Sequence, residues 1–250
     1  MTQIKLCGIS RMCDIEAVNE VRPEYIGFVF AKKSRRYVSP EVAAQLKAAL
    51  LPDIQTVGVF VDEPVEQVAD LYRQGIIDIA QLHGGEDENY IQKLKTLCGC
   101  PVIKAFTVQN IIHKKIGSEQ PFEKELTTMA AVTDEAEDAP KFATKAMTSD
   151  GAEDALDEDV LDIEAVEKSS ADYVLLDSGA GSGETFAWDL IQHVKRPYFL
   201  AGGLGVENVE RAISELHPFA VDVSSGIETD KVKDKAKMEA FVAAVRNNSK

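Results

Sequence analysis

Apolar and polar positions follow two recurring patterns along this chain. Short runs apolar at nearly every position predict strands buried on both faces, as in a parallel sheet. They are 4–9 (IKLCGI), 25–30 (YIGFVF), 56–61 (TVGVFV), 77–83 (IDIAQLH), 101–108 (PVIKAFTV), 173–178 (YVLLDS), 198–203 (YFLAGG) and 219–226 (FAVDVSSG). Between them, apolar residues recur at three- and four-residue spacings, which predicts amphipathic helices. Ser39-Pro40-Glu41 supplies a cap and a proline at the first helical position before VAAQLKAALL. Pro64 precedes VEQVADLY, and 88–97, 160–169 and 206–216 carry the same spacing. The last predicted helix, 235 to about 246, repeats Met238, Phe241, Val242 and Val245 on one face.

Eight β-then-α units in a chain of 250 residues predict a (β/α)8 TIM barrel, a fold that typically takes ~250 residues. A doubly wound open sheet is the competitor, but the chain lacks an early G-x-G-x-x-G. The expected organisation is one domain over 1–250, interrupted by a segment at about 110–159 after the fifth strand. That segment shows neither strand pattern nor convincing helical periodicity, which is the signature of a flexible or functional insertion.

Charge sharpens the picture of the insertion. From Ser118 to Glu167 the chain carries 16 Asp and Glu against three Lys, so this stretch holds −13 of the net −15. The acidity is therefore a property of one segment, which contains most of the insertion, and not of the fold as a whole. A lid or a docking segment for a protein partner is the sharper alternative, and nothing in the sequence supports a particular partner. Net charge of this sign argues against nucleic acid and anionic membrane as partners. No apolar run approaches the ~20 residues of a membrane span, and no secretory leader precedes the first strand. The four cysteines, Cys7, Cys13, Cys98 and Cys100, include a C-x-C too tight for an ordinary disulfide or zinc knuckle. Reduced thiols and a cytoplasmic location are expected, with no role assigned to Cys98 or Cys100.

In such a barrel, chemistry gathers where strands end at the carboxyl face. Strand one ends in Cys7-Gly8, strand four in Gln81 and His83, strand six in Asp177. Strand seven ends in Gly202-Gly203 within AGGLGVEN, and strand eight in Ser224-Ser225-Gly226 within VDVSSGIE. Glycines there let backbone N–H groups approach an anion, and a helix starting near Val206 would aim its dipole at it. These two adjacent loops are expected to hold a phosphate, with plain turn chemistry as the alternative. Gln81 and His83 read as a strand-end polar network and Asp222 as a structural acceptor inside the barrel. GAGSGET, 179–185, lacks the Lys-Ser/Thr ending of a nucleoside-triphosphate loop and reads as a glycine-rich loop folding over a small ligand. Phe186 and Trp188 are expected to pack the helix that follows.

KLCGI, GFVFAKKSRRYVSP, VGVF, QLHG, VIKAF, LLDS, GSGETFAW, AGGL-x-x-EN and VDVSSGIE occur in this order. The series resembles the phosphoribosylanthranilate isomerase family of tryptophan biosynthesis, from residue 3 to near the C-terminus and outside the insertion. The resemblance implies a cofactor-independent, metal-free aldose–ketose isomerase acting by an Amadori rearrangement on a phosphorylated small molecule. It implies Cys7 as general base and Asp177 as general acid. It also implies Arg36 facing the anthranilate carboxylate, with Arg35 as the neighbouring alternative. Gly202, Gly203, Ser224, Ser225 and Gly226 would bind the substrate.

A thiol becomes a serviceable base once cationic neighbours lower its pKa, and Lys5, two residues earlier on the same strand face, is the expected neighbour. An aspartate acting as acid needs a raised pKa. The chain departs from the family pattern at Ala180-Gly181, at Ala187 and at Lys231. A histidine-pathway aminoaldose isomerase would use two aspartates, which Cys7 disfavours. A phosphate-binding scaffold would not need Cys7, Asp177 and Arg36 together.

Overall fold

The computed structural model describes residues 1–107, 161–177 and 191–247. The insertion, the GAGSGET loop, Phe186 and Trp188 lie outside these residues. Eight parallel strands close into a barrel in chain order, β1 to β8, with β8 returning to β1. They are β1 (Gln3–Cys7), β2 (Tyr25–Val29), β3 (Gln55–Phe60), β4 (Ile79–Leu82), β5 (Val102–Thr107), β6 (Tyr173–Asp177), β7 (Tyr198–Ala201) and β8 (Ala220–Val223). All eight coincide with the predicted runs, and each ends a residue or more earlier. The largest shortening is in β8, where Ser225–Ile227 forms a 3-10 turn instead of strand.

The helices described are α1 (Met12–Val21), α2 (Pro40–Ala48), α3 (Val65–Arg73), α4 (Glu88–Cys98), α5 (Leu161–Lys168), α6 (Val209–Leu216) and α7 (Lys235–Asn247). Ser39 caps α2 as expected, its hydroxyl accepting from the Val42 N–H at 3.3 Å. Helix α1 is not among the predicted helices, and α6 starts later than expected. Helix α1 carries no cap of the usual kind, because Arg11 stands at the N-cap; the Asp14 carboxylate accepts from the Ser10 and Arg11 N–H groups instead. Helix α6 starts three residues after the expected Val206. The Asn208 side chain ties the Gly205 N–H and the Gly203 carbonyl, each at 2.9 Å, and holds the intervening residues in a turn. Among the described helices none is long and apolar enough to cross a membrane.

Side chains alternate across each strand with a period of two. Ile4, Leu6, Ile26, Phe28, Phe60 and Leu82 point outward into the layer shared with the helices. Tyr25, Val57, Ile79, Ile103, Leu175 and Phe199 point inward and fill the lower barrel. There Phe199 packs edge-on against both Tyr25 and Tyr173. The next inward positions up the strands are Cys7, Gly27, Val59, Gln81 and Asp177, so the packed floor sits beneath a polar upper layer.

Beyond the barrel, β9 (Glu228–Thr229) and β10 (Val232–Lys233) form a small antiparallel hairpin. Its two turn residues, Asp230 and Lys231, have φ of 51° and 65°. A two-residue turn with both residues left-handed is the hairpin type that favours Asn or Asp followed by Gly, which explains why a lysine at 231 departs from the family pattern.

Candidate active site

A cavity of about 380 Å³ opens at the carboxyl ends of the strands. Cys7, Asp177, Arg36, Gly202, Gly203, Ser224 and Ser225 line it together with Gln81, His83, Thr107 and Asp222. Of the substrate-contacting residues expected from sequence, only Gly226 is not part of the lining. A Cβ built on Gly226 would sit 2.0 Å from the Leu204 carbonyl oxygen, so this glycine lets the β7 and β8 loops touch. Gly202 and Gly203 have φ of 92° and 62°, a backbone region that glycine enters without penalty.

Cys7 is 8% exposed at the end of β1, its thiol facing the cavity mouth from the inner wall. Gly27 on β2 makes room for it: a Cβ there would stand 2.7 Å from the sulfur. That function of the glycine in YIGFVF was not apparent from the sequence. Beneath the thiol, Lys5 is wholly buried and donates to both oxygens of Asp222 at 3.0 Å. The two residues are register partners on β1 and β8. Removing one member of such a buried pair strands the other, at a cost of about 3–5 kcal/mol. Asp222 is therefore structural, as expected, yet it also reaches the cavity.

Lys5 is the predicted neighbour of the thiol, and the two act on each other electrostatically. Its effect on acidity is weaker than expected. Burial pushes the Cys7 thiol up; Lys5 and, more distantly, Lys233 pull it down, while Asp222 opposes them. The net direction is upward, because burial outweighs the two lysines and the nearby Asp222 adds to it. In the free protein the thiol is thus protonated at neutral pH. Iodoacetamide labelling of the Cys7 peptide, followed by mass spectrometry across pH, should rise tenfold per unit and level off only above the usual thiol range near ~8.5. A midpoint below that value would show that Lys5 dominates after all.

Across the barrel Asp177 ends β6. The His83 Nε2 lies 3.7 Å from an Asp177 oxygen, and the Gln81 amide nitrogen lies 3.0 Å from His83 Nδ1. Gln81 and His83 thus form the expected strand-end network, and it leads to Asp177.

The two arginines after β2 separate clearly. Arg36 is 23% exposed, lines the cavity and lays its stem over Gly8, where a Cβ would meet Arg36 Cδ at 2.4 Å. Arg35 is 41% exposed and donates outward to the Lys231 carbonyl at 2.7 Å. Around the site, the Lys233 ammonium is buried and donates at 2.7 Å to the Ser224 carbonyl, while the Ser224 hydroxyl donates at 3.3 Å to the Cys7 carbonyl. Glu228, inside a motif quoted above but given no role there, receives Arg35, Arg36 and Lys233. Among the described residues no group of three or more His, Cys, Asp or Glu is placed to hold a metal ion.

The geometry can therefore present a thiol and a carboxyl to one small molecule, with anion-binding groups on either side of the thiol. Comparison with known proteins gives this arrangement a context. The family described as N-(5'-phosphoribosyl)anthranilate (PRA) isomerase matches residues 4–139 and 144–244. An N-(5'-phosphoribosyl)anthranilate isomerase of Clostridium acetobutylicum is 36% identical over 250 residues, covering 98% of each chain. One from Endomicrobium trichonymphae is 34% identical over 99% of this chain and 100% of its own. The crystal structure of the Thermotoga maritima phosphoribosyl anthranilate isomerase superposes with a TM-score of 0.72 at 30% identity, over 99% of this chain and all of the other. A phosphoribosyl anthranilate isomerase solved in complex with reduced 1-(o-carboxyphenylamino)-1-deoxyribulose 5-phosphate superposes with a TM-score of 0.69 at 27% identity, over 99% of this chain and all of the other.

Proposed function

The chain belongs to the N-(5'-phosphoribosyl)anthranilate isomerase family, and we propose that Cys7 is its general base and Asp177 its general acid. The enzyme acts in tryptophan biosynthesis as an aldose–ketose isomerase. It converts N-(5'-phosphoribosyl)anthranilate to 1-(2-carboxyphenylamino)-1-deoxyribulose 5-phosphate by an Amadori rearrangement.

Asp177 donates a proton to the furanose ring oxygen, which opens the ring to a protonated Schiff base. Cys7, acting through the thiolate that is its minor form in the free protein, removes the proton from C2'. The electron pair left behind moves to the iminium nitrogen and gives an enolamine, which tautomerises to the ketone. Each step is ordinary acid–base catalysis by a side chain at the reacting atom.

The observation that carries this reading is the order of groups around the barrel. Passing from β6 to β2 through the closed sheet, one meets Asp177, the β7 and β8 loops, Cys7 and then Arg36. A phosphate seated on Gly202, Gly203, Ser224 and Ser225 leaves the sugar between Asp177 and Cys7. The aromatic carboxylate then reaches Arg36, whose planar fork suits two oxygens. The occupant is a phosphorylated small molecule of the kind named in the related complex.

Fluorescence of freshly made N-(5'-phosphoribosyl)anthranilate should decay on addition of the protein, with inorganic phosphate competing. Gly226→Ala should weaken phosphate inhibition and raise KM by about ten- to a hundredfold, because the methyl group must push the Leu204 backbone away from the β8 loop. Unchanged phosphate inhibition in a folded Gly226→Ala protein would move the phosphate elsewhere.

A further inference from the structure

We propose that Glu228 is a positioning residue that fixes the Arg36 guanidinium and so sets the enzyme's selectivity for a substrate whose aromatic ring bears a carboxylate. The inference rests on the reading that Arg36 receives that carboxylate.

The contacts of Glu228 divide its two oxygens among three cations. Oε1 accepts from Arg36 Nε at 2.7 Å and from Lys233 Nζ at 2.9 Å. Oε2 accepts from Arg36 Nη2 at 3.0 Å and from Arg35 Nη2 at 2.5 Å. The side chain is only 5% exposed, and its carboxyl is held down at about 2, because the hydrogen bonds from Arg36, Arg35 and Lys233 outweigh the burial that opposes ionisation. It therefore remains an anion at any working pH.

The consequence for Arg36 is directional. Glu228 grips the guanidinium from the side, through Nε and one N–H of Nη2. A guanidinium has five N–H donors in one plane. The side-on grip leaves both hydrogens of Nη1 and the second of Nη2, and that Nη2 hydrogen with the neighbouring one of Nη1 forms the end-on fork. Since Arg36 lines the cavity, this fork is the part available to an incoming carboxylate. The grip also removes the rotamer freedom that a long side chain would otherwise lose on binding.

Glu228 is itself fixed from several directions. It pairs with Lys233 across the β9–β10 hairpin, and Lys233 in turn holds the Ser224 carbonyl at 2.7 Å. The groups proposed for the carboxylate and phosphate ends of the substrate thus share one buried anion. Glutamine cannot reproduce this. Its amide offers one oxygen, and its NH2 would face the N–H donors of an arginine.

The test compares two inhibitors: the reduced product analogue, and its counterpart made with aniline, which lacks the ring carboxylate. Wild type should prefer the carboxylate form by about 10- to 100-fold, the range of a charge-assisted bidentate contact. Glu228→Gln should collapse that ratio to about threefold or less and raise KM correspondingly, with kcat within about threefold of wild type. Glu228→Asp, which keeps the charge on a stem shorter by one methylene, should give an intermediate ratio. It also carries the test if the glutamine protein does not fold.

Arg36→Lys separates the inference from its premise. If Arg36→Lys collapses the ratio while the Glu228 variants keep it, Glu228 only braces the fold and the proposal fails. If the ratio survives Arg36→Lys as well, the carboxylate lies elsewhere and the premise fails. A fall in kcat at an unchanged ratio would likewise overturn the positioning role.

Discussion

Cys7→Ser is expected to lower kcat/KM by about a thousandfold, within the ~10²–10⁴ range that a positioned base supplies. Almost all of the loss should fall on kcat, because the proposed contact of the thiol is with C2' of the substrate and not with either of its anionic ends. The serine hydroxyl fits the space that Gly27 leaves for sulfur, so folding should be preserved. Its oxygen, however, ionises far less readily than a thiol even beside a buried ammonium. With proton abstraction made slow, the residual rate should show a full primary isotope effect when C2' carries deuterium. Turnover within about tenfold of wild type would sink the assignment and turn attention to Asp222, the carboxylate on the same wall.

Asp177→Asn is expected to lose a similar factor, about 10²–10⁴, for the opposite reason. Asparagine has the shape of the aspartate but no proton acidic enough to give to the ring oxygen. Ring opening should then become limiting, and deuterium at C2' should have no effect on the residual rate. The two variants are therefore distinguished by isotope effect even where their rates agree. A full isotope effect in Asp177→Asn would place this residue after ring opening, and His83, 3.7 Å away, would become the candidate acid.

Both experiments act on residues whose inward direction was legible from strand periodicity alone. Lys5 and Cys7 lie two apart on β1, so they share a face, and the inner face of a small closed barrel is where they meet Asp222. Strand ends were less sharply readable, since every predicted run continues past the observed strand, by three residues at β8. Helix α1 was not legible. Its N-cap is an arginine, and the group that satisfies the first N–H donors sits inside the helix at Asp14. The start of α6 was misplaced because Asn208, and not Val206, controls the turn before it.

The order of β and α elements, the closed barrel and the residues at its catalytic end were determined by the sequence itself, because periodicity and chain reversal are local properties. Three matters were decided only by tertiary structure. Arg36 was separated from Arg35 by where Gly8 and Glu228, on distant parts of the chain, allow each side chain to go. The role of Glu228 came from cations brought to it from β10 and from the loop after β2. The acidity of Cys7 was set by burial and by the balance of Lys5, Asp222 and Lys233 around it. Desolvation and electrostatic interactions sum over every neighbour in space, and a linear order of residues does not contain that sum.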